Sequence, residues 1–599
     1  VPLDQHVRYA LSCGVPNEHL YSVSIEFVAP ADQPRLILPS WRPGRYLIQN
    51  YAANVRSWSA RALDGAPLEM RKCGKSEWLV AAAAGTRVQV SYRFYAGVLD
   101  AGSSFLDEDE AYFNGSNLFM WIDGLRDVPC ELALEVPRHW RIETQLPRLD
   151  ATPIPTFRAR DYDHLIDSPT VAAAELTTRS FDESGASIHL VIRGAEPRDL
   201  DPYLEAYLEP MRAMVRSQAE LFGGLPFAEY RFLYHVGDRW HGVEHEDSCS
   251  IILKRQQFLG ARPGDEGFDH FLSISSHELF HAWNVKRILP QRFLPYDYTV
   301  ETPTRLLWVM EGITSYYGDL MLARSGSWSA QRYLQHLASE IELLENSPGR
   351  ALLSLSQASF DGWLQDPAQM HDKSNAWFSF YNKGEIVAAL LDLTIRQRTD
   401  GARSLDDVML ALWKEYGATV DAVIHGNAGS PRGLEEDALE RVTERVTGLE
   451  LRDFFARFVD GTEPLPYAEL FEPAGVAFSS ERKRESSAAF GAKLRSGDGG
   501  MLVESVIAGG AAMLAGVLPG DELIALNGAR IHGDAQLRAV LRALRSDAEV
   551  ELLSARDGVV RRRMIALQGD RSVAITLDIR QNATAEQVRI RSEWLKTSK

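Results

Sequence analysis

The residues with the clearest chemical potential are His277-Glu278-Leu279-Phe280-His281. On a helix, histidines four positions apart project from one face. Two neutral imidazoles so placed can take two corners of a tetrahedral zinc site, and Glu278, one step round, can act as a base toward a water. Phe271, Leu272, Ile274, Leu279, Phe280, Ala282 and Trp283 supply apolar positions, and no Pro or Gly interrupts residues 272–287, so the segment is expected to be helical. Such a site needs a further protein ligand. Glu311, in Leu307-Trp308-Val309-Met310-Glu311-Gly312-Ile313, is the best candidate. An ionised carboxylate in so apolar a helix costs several kcal/mol unless a cation or hydrogen bonds compensate it, and a zinc ion would be that cation.

The 599-residue chain is too long for one core. Its 45% hydrophobic and 24% charged residues are ordinary for globular proteins, and a net charge of −18 argues against a nucleic-acid partner. No apolar run reaches the roughly 18 residues that span a bilayer. Cys13, Cys73, Cys130 and Cys249 form no C-x-x-C pair, so neither a disulfide framework nor cysteine zinc ligation is expected. The compartment stays open, with a soluble cytoplasmic location favoured over a periplasmic or secreted one.

Residues 1–170 alternate apolar and polar in short runs, as in Tyr21 to Val28 and Arg87 to Phe94. This pattern predicts a β-sandwich-like first domain. Residues 171–477 shift to a mainly helical period, with helices expected near 303–324, 377–396, 404–416 and 434–458. The polar stretch 478–488 reads as a linker. Residues 488–570 carry Ala515-Gly516-Val517-Leu518-Pro519-Gly520-Asp521-Glu522-Leu523, then Asn527-Gly528, and resemble a PDZ domain. Its candidate carboxylate-binding loop, Phe490-Gly491-Ala492-Lys493-Leu494, departs from the usual Gly-Leu-Gly-Phe. Residues 571–599 read as a C-terminal tail.

His277-Glu278-x-x-His281 followed by Trp308-x-x-Glu311-Gly312 resembles the gluzincins, the metallopeptidases that include aminopeptidase N and thermolysin. The gap to Glu311 is longer than is usual in aminopeptidase N. A closer similarity is to the glycyl aminopeptidases, with an N-terminal β domain, a thermolysin-like catalytic domain and a PDZ domain; it includes Leu38-Pro39-Ser40-Trp41-Arg42-Pro43-Gly44-Arg45-Tyr46 and Phe454 to Leu465. The resemblance implies a multidomain α+β fold. It implies one Zn²⁺ per chain, held by His277, His281 and Glu311, with Glu278 as catalytic base. Gly242-Val243-Glu244-His245 looks like the Gly-x-Met-Glu-Asn motif, which makes Glu244 the anchor for a substrate's free α-ammonium group. Tyr381-Asn382-Lys383-Gly384 looks like Tyr-Glu-Lys-Gly, which makes Tyr381 the oxyanion donor. Glu246 and Asp247 add to the acidity around Glu244. The implied activity is hydrolysis of the N-terminal peptide bond, with Gly or Ala preferred as first residue. The implied partners are peptides with a free N-terminus, and a peptide or protein C-terminus at the PDZ domain. The alternatives are a zinc endopeptidase whose PDZ domain presents substrates, and a non-catalytic peptide-binding scaffold.

Overall fold

The computed structural model describes residues 6–149, 152–365, 370, 372–427, 429–482, 488–497 and 500–596. The chain divides into two compact units, and neither follows the simple linear order of domains. The first comprises Val1–Thr304, Tyr317–Trp328 and Asp406–Val442; the second comprises Arg305–Tyr316, Ser329–Leu405 and Thr443–Lys599.

The first unit begins with strands that form a seven-stranded sheet and two four-stranded sheets. The strand Arg87–Tyr95 illustrates why: Val88, Val90, Tyr92 and Phe94 are buried while alternate residues face outward, as a half-buried strand requires. It pairs antiparallel with Leu20–Val28, setting Tyr92 opposite Val23 and Val90 opposite Ile25. A five-stranded sheet then runs in the order Thr177–Glu183, Ala186–Arg193, Glu229–Gly237, Ser248–Lys254 and His241–Glu244. The helix Pro197–Phe222 connects its first parallel pair, Ala186–Arg193 and Glu229–Gly237. Strand His241–Glu244 lies at the edge, antiparallel to Ser248–Lys254. The histidine helix comes next as Glu266–Phe280, with His281 as its C-cap residue.

In the second unit the helix Phe380–Arg398 is buried along nearly its whole length, with Ile386 to Leu391 as an apolar centre and buried polar residues such as Asp392 and Arg396 bonded to each other. The expected linker is largely a strand, Val476–Arg482, with residues 483–487 outside the described set. Its partner is Val573–Ile579, paired antiparallel, so Val476 faces Ile579 and Arg482 faces Val573. Residues 571–599, read from the sequence as a tail, therefore contain this strand and the helix Ala585–Leu595. That helix opens with a capping box, Thr584 to Gln587. Trp594 is fully buried, and its Nε1 donates to the Tyr316 hydroxyl at 2.9 Å. Tyr316 in turn donates to Asp392 Oδ2 at 2.6 Å.

Between those paired strands sits the PDZ domain. Its sheet runs Ala492–Ser496, Met501–Val506, Glu522–Leu526, Glu549–Arg556 and Val559–Ala566, with Ala529–Arg530 pairing Glu522–Leu526. Edge strand Ala492–Ser496 and helix Asp534–Arg542 border a groove of about 480 Å³ that also contains Phe490, Gly491 and Ile507. Across both units, no helix among the described residues is long and apolar enough to cross a membrane.

Candidate active site

The histidine helix delivers both imidazoles to one point. His277 Nε2 and His281 Nε2 lie 3.0 Å apart, and the rings meet edge to face at 86°. Two nitrogens at about 2.0–2.1 Å from a tetrahedral zinc are separated by a little over 3 Å, so this spacing fits a shared metal. His281 is buried, and its Nδ1 lies 2.7 Å from the Asn284 carbonyl. A proton on Nδ1 donated to that carbonyl leaves the Nε2 lone pair for the metal. Behind His277, the helix Leu307–Arg324 presents Gly318 to its backbone. A Cβ at Gly318 would stand 3.2 Å from His277 Cα. Ser276 Oγ donates to the Gly318 carbonyl at 2.6 Å, and Ser273 Oγ to Asp319 Oδ1 at 2.7 Å.

Two carboxylates join the histidines. Glu244, Glu278 and His281 are all buried, and their ligand-capable atoms lie within 4.8 Å of one another. A Cβ at Gly242 would approach Glu278 Oε1 to 2.0 Å, so the strand leaves space for this carboxylate only because position 242 has no side chain. Glu244 ends the edge strand, opposite Cys249. Its Oε1 is buried and has no hydrogen-bond partner, a costly state for a carboxylate oxygen unless something from outside pairs with it.

The acidic cluster expected around Glu244 resolves differently. Glu246 is gripped by both terminal nitrogens of Arg160. Burial opposes its ionisation, but the Arg160 hydrogen bonds hold its carboxyl below the ordinary value. Asp247 pairs at 3.2 Å with Arg287, a fully buried guanidinium that also binds Asp421 at 2.8 Å. Of the three acids, Glu244 alone keeps a buried oxygen that no arginine engages.

Glu311 and Tyr381 belong to the second unit. Glu311 is 1% exposed, two turns before Gly318 on the helix Leu307–Arg324. Tyr381 is the second residue of the helix Phe380–Arg398, half-buried, its amide held by the Ser379 hydroxyl at 3.2 Å. These two helices touch at their glycines: a Cβ on Gly312 would stand 2.5 Å from Gly384 Cα. Each glycine comes soon after a candidate residue, as Glu311-Gly312 and as Tyr381-Asn382-Lys383-Gly384. Both glycines stand in the sequence motifs, but the motifs do not disclose their role, which is to let two backbones cross. Asn382 turns away to Glu340, donating to its carbonyl at 2.9 Å and to its carboxylate at 2.6 Å. Burial pushes Lys383 down to about 8, and its ammonium sits 5.1 Å from the Phe378 ring centroid. His235 lies buried on the strand Glu229–Gly237, its ring 4.4 Å from that of Tyr112.

Residues 8–174 match the model of the peptidase M61 N-terminal domain, 270–387 that of M61 glycyl aminopeptidase, and 502–556 that of a PDZ domain. No protein of curated function matches the sequence. Among solved structures, an aminopeptidase N family protein from Idiomarina loihiensis is 28% identical, with a TM-score of 0.89 over 98% of this chain and 100% of that one. An M1 zinc metallopeptidase from Deinococcus radiodurans is 14% identical, with a TM-score of 0.47 over 77% of this chain and 95% of its own. With its N-terminal, catalytic and PDZ segments each matched, the chain is similar to the M61 glycyl aminopeptidases and is a metallopeptidase.

Proposed function

We propose that the protein is a zinc-dependent aminopeptidase that removes the first residue of peptides. His277, His281 and Glu311 would hold one Zn²⁺ per chain. Zinc at such a site supplies Lewis acidity toward a carbonyl and lowers the pKa of a water. Support for Glu311 comes from its burial and from its helix: the face that meets His277 at Gly318 returns, two turns earlier, at Glu311.

Glu278 takes a proton from the attacking water and passes it to the departing amine. Glu244 receives the substrate's α-ammonium group, which fixes the distance from chain end to scissile bond to one residue. Tyr381 donates a hydrogen bond from its hydroxyl to the oxyanion, a contribution typically of about 10²–10³ in turnover. The reading includes a preference for a small first residue, Gly or Ala; the glycyl aminopeptidase model matched by residues 270–387 supports its glycine part. The PDZ groove takes an extended peptide end beside its edge strand.

One observation carries the exopeptidase reading: Glu244 has a buried Oε1 without a hydrogen-bond partner, and its carboxylate brings an oxygen within 4.8 Å of the Glu278 and His281 ligand atoms. The test is a panel of peptide amides with free and acetylated N-termini, run with a chelator control. Hydrolysis of the free-amine peptides alone, abolished by chelator, is expected. Equal hydrolysis of acetylated peptides would establish an endopeptidase instead.

A further inference from the structure

Glu244 is bordered by residues from the N-terminal region. Gly44, at φ 75°, lies against its carboxylate, where a Cβ would stand 2.3 Å from Oε2. Asp167 organises the segment just beyond Glu244. Its Oδ2 accepts the Glu246 amide at 2.9 Å, and its Oδ1 lies 3.1 Å from His245 Nδ1. The same Oδ1 accepts the Lys286 ammonium at 2.9 Å. One carboxylate thus binds the two residues after Glu244 and a lysine whose side chain is only 7% exposed.

Lys286 matters because it carries the same chemical group as the substrate's N-terminus. Burial disfavours its charge, but Asp167 above all, with a smaller contribution from Glu244, raises its pKa and keeps it protonated. Its ion pair is nevertheless with Asp167, and no ion pair joins it to Glu244. The same Asp167 carboxylate that binds this ammonium also binds the two residues after Glu244, so the lysine is held in the neighbourhood of Glu244 but bonded elsewhere. Were Lys286 to cross to Glu244, it would fill the place left for the incoming α-ammonium group.

We propose that Asp167 is a positioning residue for substrate recognition: by holding Lys286 and the His245–Glu246 segment, it keeps the Glu244 carboxylate free of a resident cation. The proposal rests on Glu244 being the amine anchor. It makes the N-terminal region a participant in counting from the chain end, through a residue that touches no substrate.

The experiment measures KM and kcat separately for alanine p-nitroanilide on the full-length, zinc-loaded protein. The variants are Asp167→Asn, Asp167→Asn/Lys286→Met and Glu244→Gln. Asp167→Asn is expected to raise KM about tenfold with a smaller change in kcat, since it releases the competing lysine without altering side-chain size. Removing the lysine as well is expected to restore KM to within about threefold of the parent. A purely structural aspartate predicts the reverse, a double variant as impaired as the single or worse, and that result overturns the proposal. Should Asp167→Asn fail to fold, the double variant, which buries no unbalanced charge, still decides: a KM raised about tenfold there overturns it too. Glu244→Gln separates the two readings. If it leaves KM unchanged, the amine anchor falls and the proposal with it; if it raises KM while Asp167→Asn does not, the proposal alone falls.

Discussion

At the scale of single residues, the environment decides which acids are used. Glu246 and Asp247 stand beside Glu244 in sequence, yet arginines engage both, and only Glu244 keeps a buried oxygen without a partner. Glu278 is fixed by an absence, the missing side chain at Gly242. Glu278→Gln preserves that fit, so zinc content by metal analysis should be unchanged while kcat falls about 10²–10⁴-fold; residual turnover above a tenth of the parent would refute its role as base. Histidine burial gives a second prediction. Burial, and then the nearby Arg193 charge, push His235 down to about 3. The unfolded chain, with a histidine pKa near 6.5, therefore binds more protons below that pH, and stability is lost as pH falls from about 6.5 toward 3. At pH 5 this amounts to about 2 kcal/mol. His235→Phe, which keeps the ring against Tyr112, should move the acid-unfolding midpoint to lower pH when monitored by circular dichroism. An unchanged midpoint would show that His235 does not contribute to the acid limb.

At the scale of elements, the motif residues were legible because helix geometry fixes their spacing: four residues bring His277 and His281 to one point whatever the tertiary context. The elements themselves were legible where period was clean, as in Arg87–Tyr95. What the sequence did not reveal were meetings between distant segments. Asp167 is 119 residues from Lys286, and nothing local to either marks the pair. The crossing of Gly312 and Gly384 was hidden for the same reason, though each glycine lies within a candidate motif. That crossing is testable. A Cβ at Gly384 would meet Gly312 Cα at 2.9 Å and the Trp308 carbonyl at 3.2 Å, all backbone that has little room to move. Gly384→Ala should therefore cost about 1–3 kcal/mol by overpacking, despite alanine's better helix propensity. The helices carrying Glu311 and Tyr381 would be forced apart, so kcat should fall with them. A variant more stable than the parent in thermal unfolding would mean that the backbones do not meet there.

At the scale of the whole molecule, the last residues change how the PDZ domain is understood. Read along the sequence, it comes after the catalytic part as an appendage and is itself trailed by a tail. In the fold it is an insertion between two strands, Val476–Arg482 and Val573–Ile579, that pair with each other. The chain then continues into the helix that sends Trp594 to Tyr316, on the helix of Glu311. No local pattern announces this, because an antiparallel pair interrupted by some ninety residues looks like two unrelated strands. Its consequence is an asymmetry between two deletions. Joining Arg482 to Val573 through a short Gly-containing turn removes the PDZ domain but keeps the strand pair, now an ordinary hairpin. Ending the chain at residue 570 keeps the PDZ domain but strips one strand of its partner and takes away a fully buried tryptophan, a loss that alone costs about 3–5 kcal/mol. The first variant should fold, retain zinc and hydrolyse dipeptide amides with kcat/KM within about threefold of the parent. The truncation should lose zinc and melt at lower temperature, although it removes 29 residues rather than 90. Thermal unfolding with metal analysis on both proteins decides it. If the truncation is the better enzyme, the terminal strand and helix are not part of the catalytic scaffold.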